Sequence, residues 1–163
     1  MREERFMPLH FAASIGSEYL CNHLLQNGAN MNAKDKDGWT PLHTAVSYNR
    51  IEASRLFLQN GADINAKISN GGNVLHLAIE YGADEDMIKL VIAYGVDLEA
   101  KCDHLQTPLF DALHYLEKTD IFEVLIANGA NVNVKTQIGE FLLHYAIDQD
   151  KYDFVRFLLK VAI

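Results

Sequence analysis

The sequence predicts an all-α solenoid, in which helix-turn-helix units stack on one another and hairpin loops project between them. The first observation is a leucine, followed three residues later by an alanine, that recurs every 33 or 34 residues. The second is a glycine that lies 14 residues before each of the later leucines. The leucines are Leu9, Leu42, Leu75, Leu109 and Leu143, and the glycines are Gly28, Gly61, Gly95 and Gly129. This regularity indicates one structural unit copied along the whole chain.

The second unit, residues 35–67, is the most regular. Thr40 stands directly before Pro41, which favours a helix start, because the hydroxyl can cap free amides and proline needs no amide partner. The helix is predicted to be short, about eight residues, since its apolar pattern breaks at Asn49. A second helix follows and ends at Gly61, a residue that readily adopts positive φ. The unit is therefore predicted to be helix, turn, helix and hairpin loop.

The turns are predicted from two further features. Asp37-Gly38 is typical of a tight turn and precedes the first helix of the second unit. The third and fourth units are each one residue longer than the second, and the extra residue falls between the leucine and the glycine. We place these insertions near residues 83–86 and 117–120, in the turns between helices, because surface connections tolerate added residues best.

The second unit resembles the ankyrin repeat. The resemblance rests on Thr40-Pro41-Leu42-His43-Thr44-Ala45, on the Gly-Ala-Asp-Ile-Asn-Ala run at 61–66 and on the period of 33 residues. It covers the whole chain as one domain, 1–163, with repeats at approximately 1–34, 35–67, 68–101, 102–135 and 136–163. It implies an L-shaped stack of helix pairs with hairpins projecting at right angles, and a role in protein–protein recognition. It does not say which protein is bound.

The other repeats depart from this pattern at defined positions. Met7 takes the place of the capping threonine in the first repeat. Asn73 takes it in the third, where asparagine should still cap the helix. The fourth repeat has Leu105 for the turn glycine and Phe110 for the histidine, and the fifth has Phe141 in the Thr-Pro position.

The ends of the chain leave two interpretations open. Phe6 and Met7 at one end, and Val161 and Ile163 at the other, are apolar where a terminal repeat would face solvent. Either the chain is cut from a longer protein, or these residues fold back over the exposed ends of the stack.

Composition and charge limit the functional classes. The 163 residues are 49% apolar, enough for one continuous core, but no apolar run is long enough to cross a membrane. The charged start Met-Arg-Glu-Glu-Arg is not expected to act as a secretory signal. A formal charge of −8 argues against nucleic-acid binding. Cys21 and Cys102 are too few for a disulfide scaffold, so we expect a reduced, intracellular monomer, cytoplasmic or nuclear.

The histidines at the third position of the helix motif could suggest a metal or catalytic site. They are His10, His43, His76 and His144. Residues one repeat apart in such a stack lie about 10 Å apart, whereas the ligands of a zinc ion must converge on it. We therefore interpret them as structural histidines that hydrogen-bond between neighbouring repeats. No catalytic site, metal site or cofactor is predicted, and the chain is not expected to be an enzyme.

Two other features also have a structural interpretation. The run Asp84-Glu85-Asp86 could hold a cation, but acidic residues at a helix start are favoured by the helix dipole. Asn65 and Asn133 occupy the position that asparaginyl hydroxylation modifies in some ankyrin proteins. The alternative is that each asparagine serves its own hairpin loop locally, through side-chain hydrogen bonds.

The positions that the motif leaves free predict the binding surface. In ankyrin-type units they lie in the hairpin and on the outer side of the first helix, and together they line one concave face. Tyrosine occupies one of these positions in three successive repeats, and tyrosine and tryptophan often anchor interfaces. The alternative is that the tyrosines only pack against the adjacent repeat. The candidate partner-binding residues are Trp39, Thr44, Ser47, Tyr48, Glu80, Tyr81, Asp111, His114 and Tyr115, with Lys36 and Asp37 in the same hairpin as Trp39.

Charge predicts the kind of partner. Between Glu80 and Glu123 there are eleven acidic residues and three lysines, an imbalance equal to the whole net charge. An aromatic strip under negative potential is complementary to a protein segment with Lys or Arg among apolar residues. Two other functions remain open: a targeting or regulatory part of a larger enzyme or signalling protein, and a purely structural spacer.

Overall fold

The computed structural model describes residues 7–103, 105–135 and 139–161, which form ten helices in five pairs. The helices are α1 Pro8–Ile15, α2 Glu18–Gln26, α3 Pro41–Ser47, α4 Ile51–Gln59, α5 Val74–Glu80, α6 Glu85–Ala93, α7 Pro108–Tyr115, α8 Asp120–Ala127, α9 Leu142–Asp148 and α10 Tyr152–Val161. The only β-type pairing within these ranges is an isolated bridge between Lys135 and Phe141. The predicted all-α class is confirmed.

The helices form two layers of a solenoid. The first helices of the pairs stack in the order α1, α3, α5, α7 and α9, and the second helices α2, α4, α6 and α8 stack beside them. Each first helix also packs against the second helix of its own pair. Every unit thus buries its apolar face mainly against its neighbours, as the repeat pattern predicts.

Side-chain caps begin the central helices where the sequence predicts them. The Thr40 hydroxyl accepts a hydrogen bond from the His43 backbone amide, and the Asn73 side chain caps α5 in the same way. Thr107 caps α7. The helices that follow Met7 and Phe141 begin without a side-chain cap, as expected from the departures in the first and fifth repeats.

The two insertions lie between the paired helices, slightly earlier than predicted. Residues 81–84 connect α5 to α6 and residues 116–119 connect α7 to α8, whereas residues 48–50 suffice between α3 and α4. The predicted ranges included Glu85, Asp86 and Asp120, which already belong to the following helices. The extra residue is accommodated by the turn, so the helices keep their register.

One hydrophobic core runs through the stack. Leu9, Leu42, Leu75 and Leu109 are buried at equivalent positions in the first four repeats. Leu143, the fifth member of this series, is only half-buried. In the second layer, the rings of Phe122 and Phe154 meet edge to face, with centroids 5.2 Å apart, and join α8 to α10.

The described ends of the stack carry apolar side chains of different exposure. Met7 is half-buried and Val161 is exposed. Phe6 and Ile163 lie outside the described residues. None of the described helices combines the length and the apolar character that a membrane-spanning helix requires.

Candidate partner-binding surface

Three histidines tie the first helices to loops of the stack. The Nε2 atom of His10 lies 2.8 Å from the Trp39 carbonyl oxygen, that of His43 lies 3.1 Å from the Ala66 carbonyl, and that of His76 bonds the Gln106 carbonyl. All three histidines are structural, and the predicted bond between neighbouring repeats is confirmed for His10 and His76 but not for His43. The bonds of His10 and His76 cross to the next repeat, whereas that of His43 reaches the closing loop of its own repeat.

The environment of His43 and His76 favours the uncharged imidazole. Burial lowers the pKa of His43 to about 4 and lowers the pKa of His76. The Nδ1 atom of His43 accepts a hydrogen bond from the Thr40 backbone amide, so Nε2 carries the proton that it donates to the carbonyl. His43 is therefore a neutral imidazole whose two ring nitrogens are both hydrogen-bonded to the backbone, which is a structural role.

The two remaining features of this series differ. His144 is exposed and lies beside the ring of Phe141. Phe110, which replaces the histidine in the fourth repeat, packs against Tyr145 with ring centroids 4.8 Å apart. Within residues 7–103, 105–135 and 139–161, no group of three or more His, Cys, Asp or Glu side chains is placed to hold a metal ion. That the chain binds no metal stays a prediction.

A second set of tethers uses the closing loops. The Oδ1 atom of Asn65 accepts a hydrogen bond from the backbone amide of Asp97 at 2.8 Å, in the loop of the next repeat. Asn32 makes the same bond one repeat earlier, and Glu99 makes it one repeat later through its longer side chain. The local interpretation of Asn65 was therefore wrong, because its side chain reaches across the repeat boundary. Hydroxylation of Asn65 or Asn133 was not predicted, and these contacts do not test it.

The acidic run at residues 84–86 begins a helix, as predicted. Asp84 is the N-cap of α6, and its Oδ1 atom accepts a hydrogen bond from the Met87 backbone amide. Its Oδ2 atom accepts another from the Asn49 side chain, and these bonds lower the pKa of Asp84. Both oxygens of the Asp84 carboxylate are therefore already hydrogen-bonded within the chain.

Trp39, Tyr48 and Tyr81 form what we call the aromatic groove. The rings of Trp39 and Tyr81 meet edge to face, with centroids 5.8 Å apart and an interplanar angle of 90°. Tyr48 and Tyr81 follow directly after α3 and α5 and are 57% and 55% exposed. Tyr81 thus touches the preceding repeat, as the alternative interpretation expected, yet more than half of its side chain faces solvent.

The hairpin holds Trp39 in place. The Asp35 carboxylate accepts a hydrogen bond from the Trp39 amide at 2.8 Å, and the Trp39 carbonyl accepts bonds from the Asp35 amide and from His10. The half-buried indole therefore has a rigid backbone beneath it. Such an anchor loses little conformational freedom when a partner binds.

The aromatic groove is part of a cavity of about 740 Å³. Its lining residues are Met7, His10, Ser14, Lys34, Asp35, Lys36, Asp37, Trp39, Thr44, Tyr48 and Tyr81. Both signs of charge, from Lys34, Asp35, Lys36 and Asp37, line this cavity beside the aromatic rings and Met7. The cavity is large enough for several side chains of a peptide segment.

Thr44 and Ser47 offer fewer free polar groups on the candidate surface than the sequence predicted. Thr44 is buried, so it can form only the floor of the cavity. The Ser47 hydroxyl donates to the Thr44 carbonyl at 3.0 Å, within its own helix. These hydroxyls are already engaged with backbone carbonyls and are not free polar contacts.

Asp111 differs from the exposed acidic residue that was expected. Its side chain is only 6% exposed, and burial, together with the charge of Glu80, raises its pKa to about 7. A carboxyl group in this state is only partly ionised at neutral pH. The negative border of the concave face therefore depends on the exposed Glu80 more than on Asp111.

A second aromatic group lies beyond these acidic residues. The ring of His114 meets Tyr115 edge to face with centroids 4.7 Å apart, and its Nδ1 atom is hydrogen-bonded to the Tyr145 hydroxyl. Among the described residues no ring contact joins Tyr81 to Tyr115. The predicted single strip is thus two aromatic groups separated by Glu80 and Asp111.

Tyr145 was not predicted from the sequence. It occupies the same position of the repeat as Asp111, which was on the list of candidates, and this spacing of 34 residues was the available signal. Its hydroxyl and its ring connect His114 to Phe110. Lys151 stabilises the same corner, because its Nζ atom donates to the carbonyls of His114 and Leu116.

The arrangement of helix pairs and tethers agrees with a comparison against known families. The family model described as ankyrin repeats (3 copies) matches residues 2–68 and 75–163. No curated protein matches the chain.

Proposed function

The chain belongs to the ankyrin-repeat family, and we propose that it binds another protein through the concave face that carries the aromatic groove. Ankyrin repeats are generally protein–protein interaction modules. The observation that carries the proposal is the exposure of Tyr48 and Tyr81 beside the fixed ring of Trp39. Exposed aromatic side chains gain most when a partner removes them from water.

The partner is proposed to present a segment with Lys or Arg among apolar residues. Glu80 is the last residue of α5, directly precedes Tyr81 of the aromatic groove in the sequence, and is itself exposed. A cation near Glu80 could also lie over the face of a tyrosine, an interaction that contributes on the order of 0.5–2 kcal/mol. Lys34 and Lys36 lie on the hairpin side, so the basic residue of the partner should lie away from them.

We propose binding, not catalysis, as the role of these residues, and a protein rather than a nucleic acid as the partner. The ankyrin-repeat family is typically non-catalytic. The charge of −8 would repel a polyanion. Cys21 and Cys102 are both free thiols, which supports a reducing intracellular compartment, and the concave face would act in a monomer.

The test is a selection of binders from a random peptide library displayed on phage, followed by titration of the selected peptides. We expect Lys and Arg to be enriched among peptides that bind the unmodified chain. Tyr81→Ala should weaken their binding by more than about fivefold without unfolding the chain. Tyr19→Ala is the matched control, because Tyr19 is also exposed but lies on α2. Equal affinity of the peptides for unmodified chain, Tyr48→Ala and Tyr81→Ala would overturn the proposal.

A further inference from the structure

The hairpin of the fourth repeat keeps the turn of the other hairpins but carries a leucine at its glycine position. The Leu105 amide donates to the Cys102 carbonyl at 2.8 Å, and the Cys102 amide donates to the Gln106 carbonyl at 3.2 Å. The same two bonds close the hairpins that contain Gly38 and Gly71. The same pair of hydrogen bonds therefore closes the hairpin in the second, third and fourth repeats.

Leu105 adopts a backbone conformation that is unfavourable for leucine. Its φ is +57°, close to the values of +79°, +80° and +83° at Gly38, Gly71 and Gly139. A leucine in this left-handed region crowds its own backbone, which destabilises the fold. Burial does not compensate, because the Leu105 side chain is 55% exposed. Folding alone would favour glycine here.

The fourth repeat departs from the repeat pattern at a second residue, which lines the same groove as Leu105. Phe110 replaces the histidine that ties the first helix to a loop in the first three repeats. Leu105 and Phe110 both line a groove of about 260 Å³ between this hairpin and the loop that follows α8. We call it the hairpin groove. Its lining residues are Glu99, Lys101, Leu105, Gln106, Thr107, Phe110, Asn131, Asn133, Val134 and Lys135.

The lining of the hairpin groove includes two lysines, Lys101 and Lys135. Within the parts of the chain that the structure describes, the ion pairs involve neither Lys101 nor Lys135. The Lys135 ammonium lies 4.7 Å from the centroid of the Phe141 ring. The Glu99 carboxylate, which also lines the groove, accepts a hydrogen bond from the Asn131 amide. The groove thus combines an apolar wall with two lysines and one carboxylate that is already engaged by the Asn131 amide, which leaves an excess of positive charge.

We propose that the hairpin groove binds one apolar side chain of the partner protein, together with a neighbouring carboxylate that pairs with Lys101 and Lys135. The inference rests on the proposed function, since it assigns a second contact to the same partner. The volume suits a single leucine or phenylalanine side chain. Because Glu80 selects a basic residue and these lysines select an acidic one, the two contacts also fix the direction of the bound segment.

The experiment restores the repeat pattern at the groove. Leu105→Gly should raise the midpoint of thermal unfolding by about 2–4 °C, because the strain is removed. It should also weaken, by about fivefold or more, the binding of selected peptides that carry an acidic residue beside an apolar one. These peptides are the ones selected on the unmodified chain. Leu105→Asn tolerates the same φ without the extra freedom of glycine, and it should weaken binding equally.

Further variants separate this inference from the proposed function. Lys101→Glu should weaken binding of the same peptides, because it places a like charge beside their acidic residue, and Tyr19→Ala should leave binding unchanged. The inference is overturned if Leu105→Gly stabilises the fold while every selected peptide keeps its affinity. If those peptides still depend on Tyr81, only the hairpin groove is rejected. If they depend on neither Tyr81 nor Leu105, the proposed function fails as well.

Discussion

The side chain of Asn65 and the backbone amide of Asp97 are joined by a hydrogen bond of 2.8 Å across the boundary between the second and third repeats. The bond links two exposed loops, so it adds to the stack without adding to the core. Equivalent bonds from Asn32 and Glu99 show that this link belongs to the repeat and survives a change of residue type.

Replacing Asn65 should loosen this boundary. Asn65→Ala removes the acceptor for the Asp97 amide, and we expect it to lower the free energy of unfolding by about 0.5–1.5 kcal/mol in urea titrations. Asn133→Ala is the matched control, because the Asn133 side chain has no hydrogen-bond partner among the described residues. An equal loss in both variants would show that the cross-repeat bond is not the cause.

The central core should be more sensitive than its ends. Leu75→Ala should cost roughly 2–5 kcal/mol, since Leu75 is fully buried between neighbouring repeats. Leu143→Ala should cost less, because Leu143 is half-buried. Hydrogen exchange should show the first and fifth repeats opening before the second and third. Uniform protection over all repeats would contradict nearest-neighbour stability.

Acid should destabilise the chain through His43. Its pKa is about 4 in the folded state and about 6.5 in the unfolded state. The unfolded chain therefore binds more protons between these values, and stability falls as the pH drops from about 6.5 towards 4. Urea unfolding of the unmodified chain and of His43→Gln should show a weaker pH dependence for the variant. Parallel curves in this window would argue against a buried neutral imidazole.

Asp111 should have the opposite effect to His43 on the pH dependence of stability. Its folded-state pKa of about 7 lies above its unfolded value of 3.8, so the folded chain binds the extra proton and loses stability as the pH rises from about 4 to 7. Asp111→Asn should therefore stabilise the chain at pH 7, by on the order of 1–4 kcal/mol. Glu117→Gln, at an exposed acid, provides the comparison. No gain at pH 7, or a gain that persists at pH 4, would contradict the burial of this carboxyl group.

Charge and aromatic contacts should affect binding kinetics differently. Glu80→Lys should mainly slow the association of Lys- and Arg-rich selected peptides and reduce the salt dependence of the association rate. Tyr81→Ala should mainly raise the dissociation rate, with a loss of more than about 1 kcal/mol. Surface plasmon resonance at two salt concentrations separates the two effects. Insensitivity to both substitutions would place the binding site elsewhere, on the convex face or at the hairpin tips.

Spacing was enough to predict the helix pairs, the caps and the role of the buried histidines. Thr40 and Asn73 cap helices because capping depends on neighbouring residues of one short segment. The insertions were also located, to within a few residues, because only a turn can absorb an added residue without changing the helix register.

Contacts between repeats were harder to predict. The spacing shows that Asn65 and Asp97 occupy successive loops, but not that the side chain of one reaches the backbone of the other. The burial of Asp111 depends on how closely adjacent helices pack above it, which a single sequence does not encode locally. Tyr145 was missed for the same reason, since its contacts with His114 and Phe110 come from two helices.

The tethers between repeats have a mechanical consequence. The bonds of His10, Asn65 and His76 each join one repeat only to the next, so a force applied to the two ends of the stack passes through them in series. Under tension the weakest boundary between repeats would separate first, and the chain would lengthen in discrete steps as successive repeats unfold. At the boundary between the fourth and fifth repeats Phe110 replaces the histidine, and the load passes instead through its packing against Tyr145 and through the bonds of Lys151 to the His114 and Leu116 carbonyls.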